Sequence, residues 1–379
     1  MLELKKKDQN ELSCQRKKTS IGGQALMEGI MMRGPKKYAM AVRNTKGEIV
    51  IEEYENKTSK RPAFCRWPII RGIFGYIDSM ALGYKCLMRS AELSGLEDLV
   101  EESPRKKKKR LEREAKLVQN NAENTEKTAE NTEKIEEISE PSQNADNPKE
   151  EEKMPAWVMT VMMVFSFVFA FALAIGLFVY LPTQIYQWIS NAVPLFKGSN
   201  AAINSLWKSV FEGVVKILLL VGYMAAISLM KDIRRTFMYH GAEHKTIFCY
   251  EAGLELTVEN VRKQRRFHPR CGTSFLILML LVSIFVSFFI DPISILISGD
   301  VLPVVLRVVV KLLLIPVIVG LGYELIKFAG KYDNVVTRII SAPGVWLQHI
   351  TVFEPTDDMI ECAIDAVRRV IPEDGSDQW

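Results

Sequence analysis

The chain has 379 residues, 48% of them hydrophobic and 25% charged, with a formal net charge of +4 and a mean hydropathy of +0.05. That length allows two or three domains, and high charge beside positive hydropathy argues against one uniform soluble globule: apolar and charged blocks must follow one another along the chain. A net charge this small gives no ground for nucleic-acid binding.

The first twenty residues are polar and basic, and predicted disordered. The opening Met-Leu-Glu-Leu-Lys-Lys-Lys is a charged head with no apolar region behind it, so no cleaved signal peptide is expected. Residues 21–35 carry four glycines, which implies tight turns or close approach to a partner. No Lys-Ser/Thr follows as in a P-loop, so a structural role outweighs a phosphate cradle. Residues 38–44 and 48–55 read as two strands joined by a turn at Asn44-Thr45-Lys46-Gly47. With residues 68–94, an amphipathic helix interrupted by Arg71, Asp78, Lys85 and Arg89, they make a small cytosolic β-unit over 21–99. That helix is expected to lie on the bilayer or on the β-unit.

Residues 100–154 form a charged linker. The block Arg105 to Arg110 is wholly basic. The motif Ala-Glu-Asn-Thr-Glu-Lys occurs at 122–127 and again at 129–134. The seven-residue repeat has no apolar seam, which argues against a coiled coil and for a solvated segment. The basic block is read as a solvated charge run in preference to a lipid contact.

Four transmembrane helices follow, at about 155–181, 203–230, 273–290 and 303–328, the last with a kink at Pro316. The loop at 231–272 is rich in Lys and Arg, whereas the loops on the other side hold Lys197 alone. The positive-inside rule then puts that loop, the tail at 331–379 and both termini in the cytosol of a bacterial cell. The fold class is an α-helical multi-pass membrane protein with a small cytosolic N-terminal β-unit. All six cysteines (Cys14, Cys65, Cys86, Cys249, Cys271 and Cys362) fall on the cytosolic side, none in a C-x-x-C pair, so reduced thiols are expected. In the tail, 357–371 reads as an amphipathic helix.

Two of the four histidines stand in Tyr239-His240-Gly241-Ala242-Glu243-His244-Lys245, an H-x-x-E-H pattern. On a helix, His240 and His244 leave from one face and suit a zinc-sized divalent ion, with Glu243 as general base or as a ligand. A straight continuation of the second span would carry them about 15 Å beyond Met230, at 1.5 Å per residue. The third ligand is left open among His268 and Cys271 of the His268-Pro269-Arg270-Cys271 turn, Glu324 and Asp333 at the inner end of the fourth span, and Glu354 in the tail. Glu28 could approach the site if the β-unit packs on this loop. Arg265, Arg266 and Arg270 could hold a negative group. The plain alternative is a network of caps and ion pairs at a membrane edge. His349 reads as a surface residue, and Cys249 and Cys271, without pair spacing, read as isolated thiols in preference to a zinc pair.

A second constellation lies within the spans. Lys208, Glu212 and Lys216 step by four along the second, and Arg307 and Lys311 do so along the fourth, one carboxylate against four cations. Such a patch could hold an anionic lipid, a polyprenyl phosphate or a transported anion. Alternatively, Glu212 pairs with one cation and the others snorkel.

Three stretches in order, Gly22 to Pro35, Tyr239 to Lys245 and His268 to Ser274, resemble the bacterial YqhQ-like family. The resemblance covers nearly everything except the extreme N-terminus and the linker, and reaches the tail at 348–355. It implies a multi-pass membrane protein from a domain-of-unknown-function family described as a metal-dependent enzyme, with no substrate given. His349 stands where no family histidine is expected. Two readings follow. One is a zinc-type hydrolase acting at the cytosolic face on a lipid-linked or membrane-proximal molecule, or on a peptide. The other is a non-catalytic transporter, lipid-binding module or scaffold working through the intramembrane cations.

Overall fold

The computed structural model describes residues 18–56, 62–95, 156–193, 201–332 and 334–378. The basic block at 105–110, the repeat at 122–134 and Asp333 lie outside them. The chain divides into two units, Met1–Gly95 with Ala174–Trp379, and Leu96–Leu173. In the second unit the described residues belong to helix α2 (Ala156–Ile175), which carries no charge and stacks Phe165 on Phe169 at 6.5 Å.

The first unit begins with a four-stranded antiparallel meander: β1 (Gly22–Leu26), β2 (Gly29–Arg33), β3 (Lys37–Arg43) and β4 (Ile49–Glu55), in spatial order 1-2-3-4. The glycine-rich run expected to form turns is therefore largely β1 and β2. Leu26 pairs with Gly29, which leaves Met27 and Glu28 as a two-residue turn, with Glu28 at φ 52°. The left-handed conformation at Glu28 matches the twist of the flanking strands.

Alternation along the strands gives the sheet two apolar faces. Ile30, Met32, Ala39 and Ala41 pack with Tyr239, Ala242 and Ile247 of helix α5 (Lys231–Glu251) and with Met359, Ile360, Ala363 and Val367 of α10 (Asp357–Val370). Met31, Tyr38, Met40 and Val42 point the other way, onto Leu82, Cys86, Leu87 and Leu93 of α1 (Ile70–Ser94). Helix α10 has acids in its first turn (Asp357, Asp358) and bases in its last (Arg368, Arg369), matching the helix dipole.

Among the described residues, four helical stretches are long and apolar enough to cross a membrane: Val164–Ala192, Ile203–Ser228, Gly272–Ser298 and Val305–Lys331. The first runs past residue 181, through a π turn at Gly176–Tyr180 into α3 (Leu181–Ala192), where Pro182 falls in the first turn and is tolerated. The second, α4 (Ala201–Ser228), does not continue straight into α5. Met230 has extended backbone (φ −70°, ψ 130°) and starts the new helix. The third, α7 (Gly272–Ser298), continues past residue 290 because Asp291 is neutralised inside the protein. The fourth, α8 (Val304–Lys331), contains Pro316. Helix α5 and the short α6 (Val258–Arg262) join the end of α4 to the start of α7, and α9 (Val335–Thr351) follows α8. The sheet layer therefore sits at one end of α4, α7 and α8.

Candidate functional site

The break at Met230 sets α5 between the sheet and the helix ends. Its Tyr239 and Ala242 face the sheet core. Gly241 lies against the chain after α9, where a Cβ would stand 2.0 Å from the Phe353 carbonyl oxygen. Glycine thus permits the approach of α5 to residues 351–353 and fixes the side from which His240 and His244 emerge.

Both histidines are oriented by backbone carbonyls. His240 Nδ1 is 3.1 Å from Thr351 O, and His244 Nδ1 is 2.6 Å from Arg266 O. A carbonyl only accepts, so each Nδ1 carries a proton, and in the neutral ring Nε2 then keeps its lone pair. His240 Nε2 lies 2.9 Å from Cys271 Sγ. One ligand atom from each of His240, His244 and Cys271 falls within 4.8 Å of the others. Cys271 is held by its place at the start of α7, where Sγ accepts from Thr273 N at 3.4 Å.

The neighbouring candidates fall in different places. His268 is beside the group, its ring 5.5 Å from that of His244. It is buried and held at both backbone polar atoms by Gln348, whose Oε1 accepts from His268 N (2.8 Å) and whose Nε2 donates to His268 O (2.7 Å) and to Ser274 Oγ (3.0 Å). Burial lowers the His268 pKa well below its ordinary value, with help from His244, Arg270 and Arg265, so the ring is neutral. Glu324 is not brought to the group. It forms a two-pronged ion pair with Arg71 of α1, Nε to Oε1 at 2.6 Å. Glu354 pairs with the buried Lys245 and with Arg266. Glu28 also goes elsewhere: it pairs with Arg235 (2.6 Å), one turn before His240, and Tyr239 donates to it at 3.4 Å. His349 is on the surface against Phe267.

Glu243 is buried, and its carboxyl is pushed up by that burial. His240 and a hydrogen bond from the Gly23 backbone pull it partly back. Gly23 of β1 is the close neighbour: a Cβ there would lie 2.7 Å from Met32 Sδ and 3.0 Å from Glu243 Cδ. Together Glu243, His244, His268 and Cys271 line a cavity of about 160 Å³, walled on one side by residues 19–23. Gly23 and Gln348 were not among the candidates read from sequence. The signals for Gly23 were the glycine run and the family resemblance of Gly22 to Pro35, and for Gln348 the resemblance of the tail at 348–355.

The charges carried by the apolar helices also meet. Glu212 accepts from Thr183 Oγ1 of α3 (2.9 Å) and lies 3.9 Å from Lys208 and 3.6 Å from Lys311. Arg307 pairs with Asp291 at 2.7 Å, and Asp291 accepts from Ser205 at 2.7 Å. The sequence reading of one carboxylate against four cations omitted Asp291, so two acids face four bases. Lys216 is buried, with no carboxylate within 4.0 Å among the described residues.

The chain is similar to the "Uncharacterized protein YqhQ" of Bacillus subtilis (strain 168), 30% identical over 354 residues, covering 93% of this chain and 92% of that relative. No solved structure matches it. The family model described as "Protein of unknown function (DUF1385)" matches residues 67–373, a stretch that takes in α5, the His268–Cys271 turn and α10, and the chain belongs to that family.

Proposed function

We propose that this protein is a metal-dependent enzyme of hydrolase type acting at the cytosolic face of a bacterial cytoplasmic membrane. His240, His244 and Cys271 would hold the ion, and Glu243 would move the proton. The observation that carries this reading is the tautomer lock. Two carbonyls orient both rings through Nδ1, His240 Nε2 lies 2.9 Å from Cys271 Sγ, and one ligand atom from each of the three residues falls within 4.8 Å of the others. Carbonyl partners of this kind orient metal-ligating histidines and raise their basicity.

The donor set fits zinc. Tetrahedral bonds of about 2.0–2.1 Å to nitrogen and about 2.3 Å to sulfur put neighbouring N and S atoms roughly 3.6 Å apart. The present separation of 2.9 Å between His240 Nε2 and Cys271 Sγ opens to that value with a sub-ångström side-chain shift. Three protein ligands leave a fourth position for substrate, the pattern of catalytic rather than structural sites. A bound divalent ion would supply Lewis acidity. Glu243, raised by burial, is tuned to hold and give up a proton in the cavity that His244 and Cys271 line. Neutral His268 offers hydrogen bonding without charge.

The test is elemental analysis of detergent-purified protein beside a His240→Ala/His244→Ala double variant. About one equivalent of a transition metal is expected in the parent and none in the variant. Cys271→Ala is expected to weaken retention against a chelator, and Glu324→Gln to leave metal content unchanged. No metal in the parent after reconstitution with zinc would end the reading.

A further inference from the structure

Beside His268 the protein opens into a second, larger groove of about 720 Å³. Its walls come from the 265–270 turn, the end of α8 and one face of α9. Among the described lining residues, Lys18, Arg265, Arg270 and Arg338 are cationic, and Glu251 is the one acid. Glu251 is already engaged by Arg270. The rest of the lining includes Ala329, Tyr332, Ala342 and Val345. The groove is thus strongly basic at one part and apolar at another.

His268 and Arg270 line this groove and also the cavity that holds Glu243, His244 and Cys271. Their contact is frustrated. Arg270 N faces His268 Nδ1 and Arg270 Nη2 faces His268 Nε2, each at 3.3 Å, and because an imidazole ring always carries at least one N–H, at least one of these contacts sets donor against donor. Two donors confront each other on a side chain that is 4% exposed. An anionic oxygen between them would accept from both.

Helix α9 gives the direction. One face lines the groove with Thr337, Arg338, Ser341 and Val345. Another presents Val335 (72% exposed), Val336 (57%), Ile339 (66%) and Trp346 (59%). These apolar side chains follow directly on α8, a helix apolar enough to cross a membrane. A helix with that face lies at the boundary of headgroups and acyl chains.

We propose that this groove binds an anionic lipid of the surrounding membrane. The phosphate group sits among Arg265, Arg270, Arg338 and His268, and the chain leaves over Ala342 and Val345. As a lipid site this stands by itself; as the substrate of the adjoining centre it rests on the metal-dependent reading above.

The experiment uses the full chain in detergent micelles with equal amounts of phosphatidylglycerol and phosphatidylcholine, bound lipid being counted by native mass spectrometry. A preference of about tenfold for phosphatidylglycerol is expected from two or more charge-assisted contacts. Arg265→Glu/Arg338→Glu is expected to abolish the preference, and Ala342→Trp, which fills the apolar part and leaves every charge, to lose both lipids. Equal occupancy by the two lipids, or a preference that both variants leave intact, overturns the proposal; the second result would move the lipid to the cluster around Lys216. Displacement of phosphatidylglycerol by an equal concentration of glycerol phosphate would make the ligand a soluble phosphate ester and overturn it too. The His240→Ala/His244→Ala variant is expected to keep the preference. A parent protein without metal but with the preference sinks the substrate role and leaves the lipid site.

Discussion

At the scale of single residues, Gln348 ties three parts together. It closes both backbone groups of His268 and the hydroxyl of Ser274. Gln348→Leu leaves those buried groups unsatisfied and is expected to cost about 1–3 kcal/mol for each group left unpaired, read as a lowered midpoint in chemical denaturation. Two thiols give a second expectation. Burial pushes Cys86 and Cys362 up to about 11. The thiolate is the reactive form, so at pH 8 each should alkylate about 100-fold more slowly in the folded protein than after unfolding, before any steric protection is counted. Iodoacetamide labelling read by peptide mass spectrometry checks this, and rapid labelling of both in the native state would contradict the packing around α1 and α10. The histidine pair was legible in the sequence because the spacing of four on a helix is a local property. The company it keeps was not. Glu324 and Cys271 were equal candidates by sequence, and the Arg71 ion pair, formed across 253 residues, shows why the glutamate stays away.

At the scale of elements, α10 holds the sheet against α5, and so holds Gly23 against Glu243. Ile360 is fully buried in that contact. Ile360→Ala should cost about 2–5 kcal/mol, with metal retention falling together with stability as β1 loosens. Unchanged metal content in a clearly destabilised variant would show that β1 does not shape the centre. The amphipathic patterns of α1 and α10 and the turn before Glu48 could be read directly. Strands β1 and β2 could not. Gly-Gly-Gln-Ala-Leu has no β-branched residue, and its strand character comes from pairing and burial. The break between α4 and α5 was hidden for a related reason: nothing in Ser-Leu-Met-Lys is a helix breaker, and the turn is set by packing.

At the scale of the whole molecule, the apolar runs were the plainest signal, since length and hydropathy alone mark four stretches able to cross a membrane. The ion-pair network between them was misjudged because Asp291 sits beside Pro292, which reads as a loop. Asp291→Asn leaves Arg307 buried without its acid, and should cost about 3–5 kcal/mol. It is measured as loss of folded protein in detergent. Replacing the pair together, Asp291→Leu with Arg307→Leu, should recover most of that loss. Full stability in the single variant would mean that water or lipid compensates the arginine.

The wall of the small cavity is made from residues 19–23, and it is pinned from the far end of the chain. Thr19 Oγ1 donates to Asp377 at 2.6 Å, Ser20 N to the Asp377 carbonyl at 2.5 Å, and Thr19 bridges to Gln378. Residues 377 and 378 thus brace a wall of the chamber that keeps Glu243 from solvent, across 358 positions of sequence, so the shape of the centre depends on a clasp that contributes no group to it.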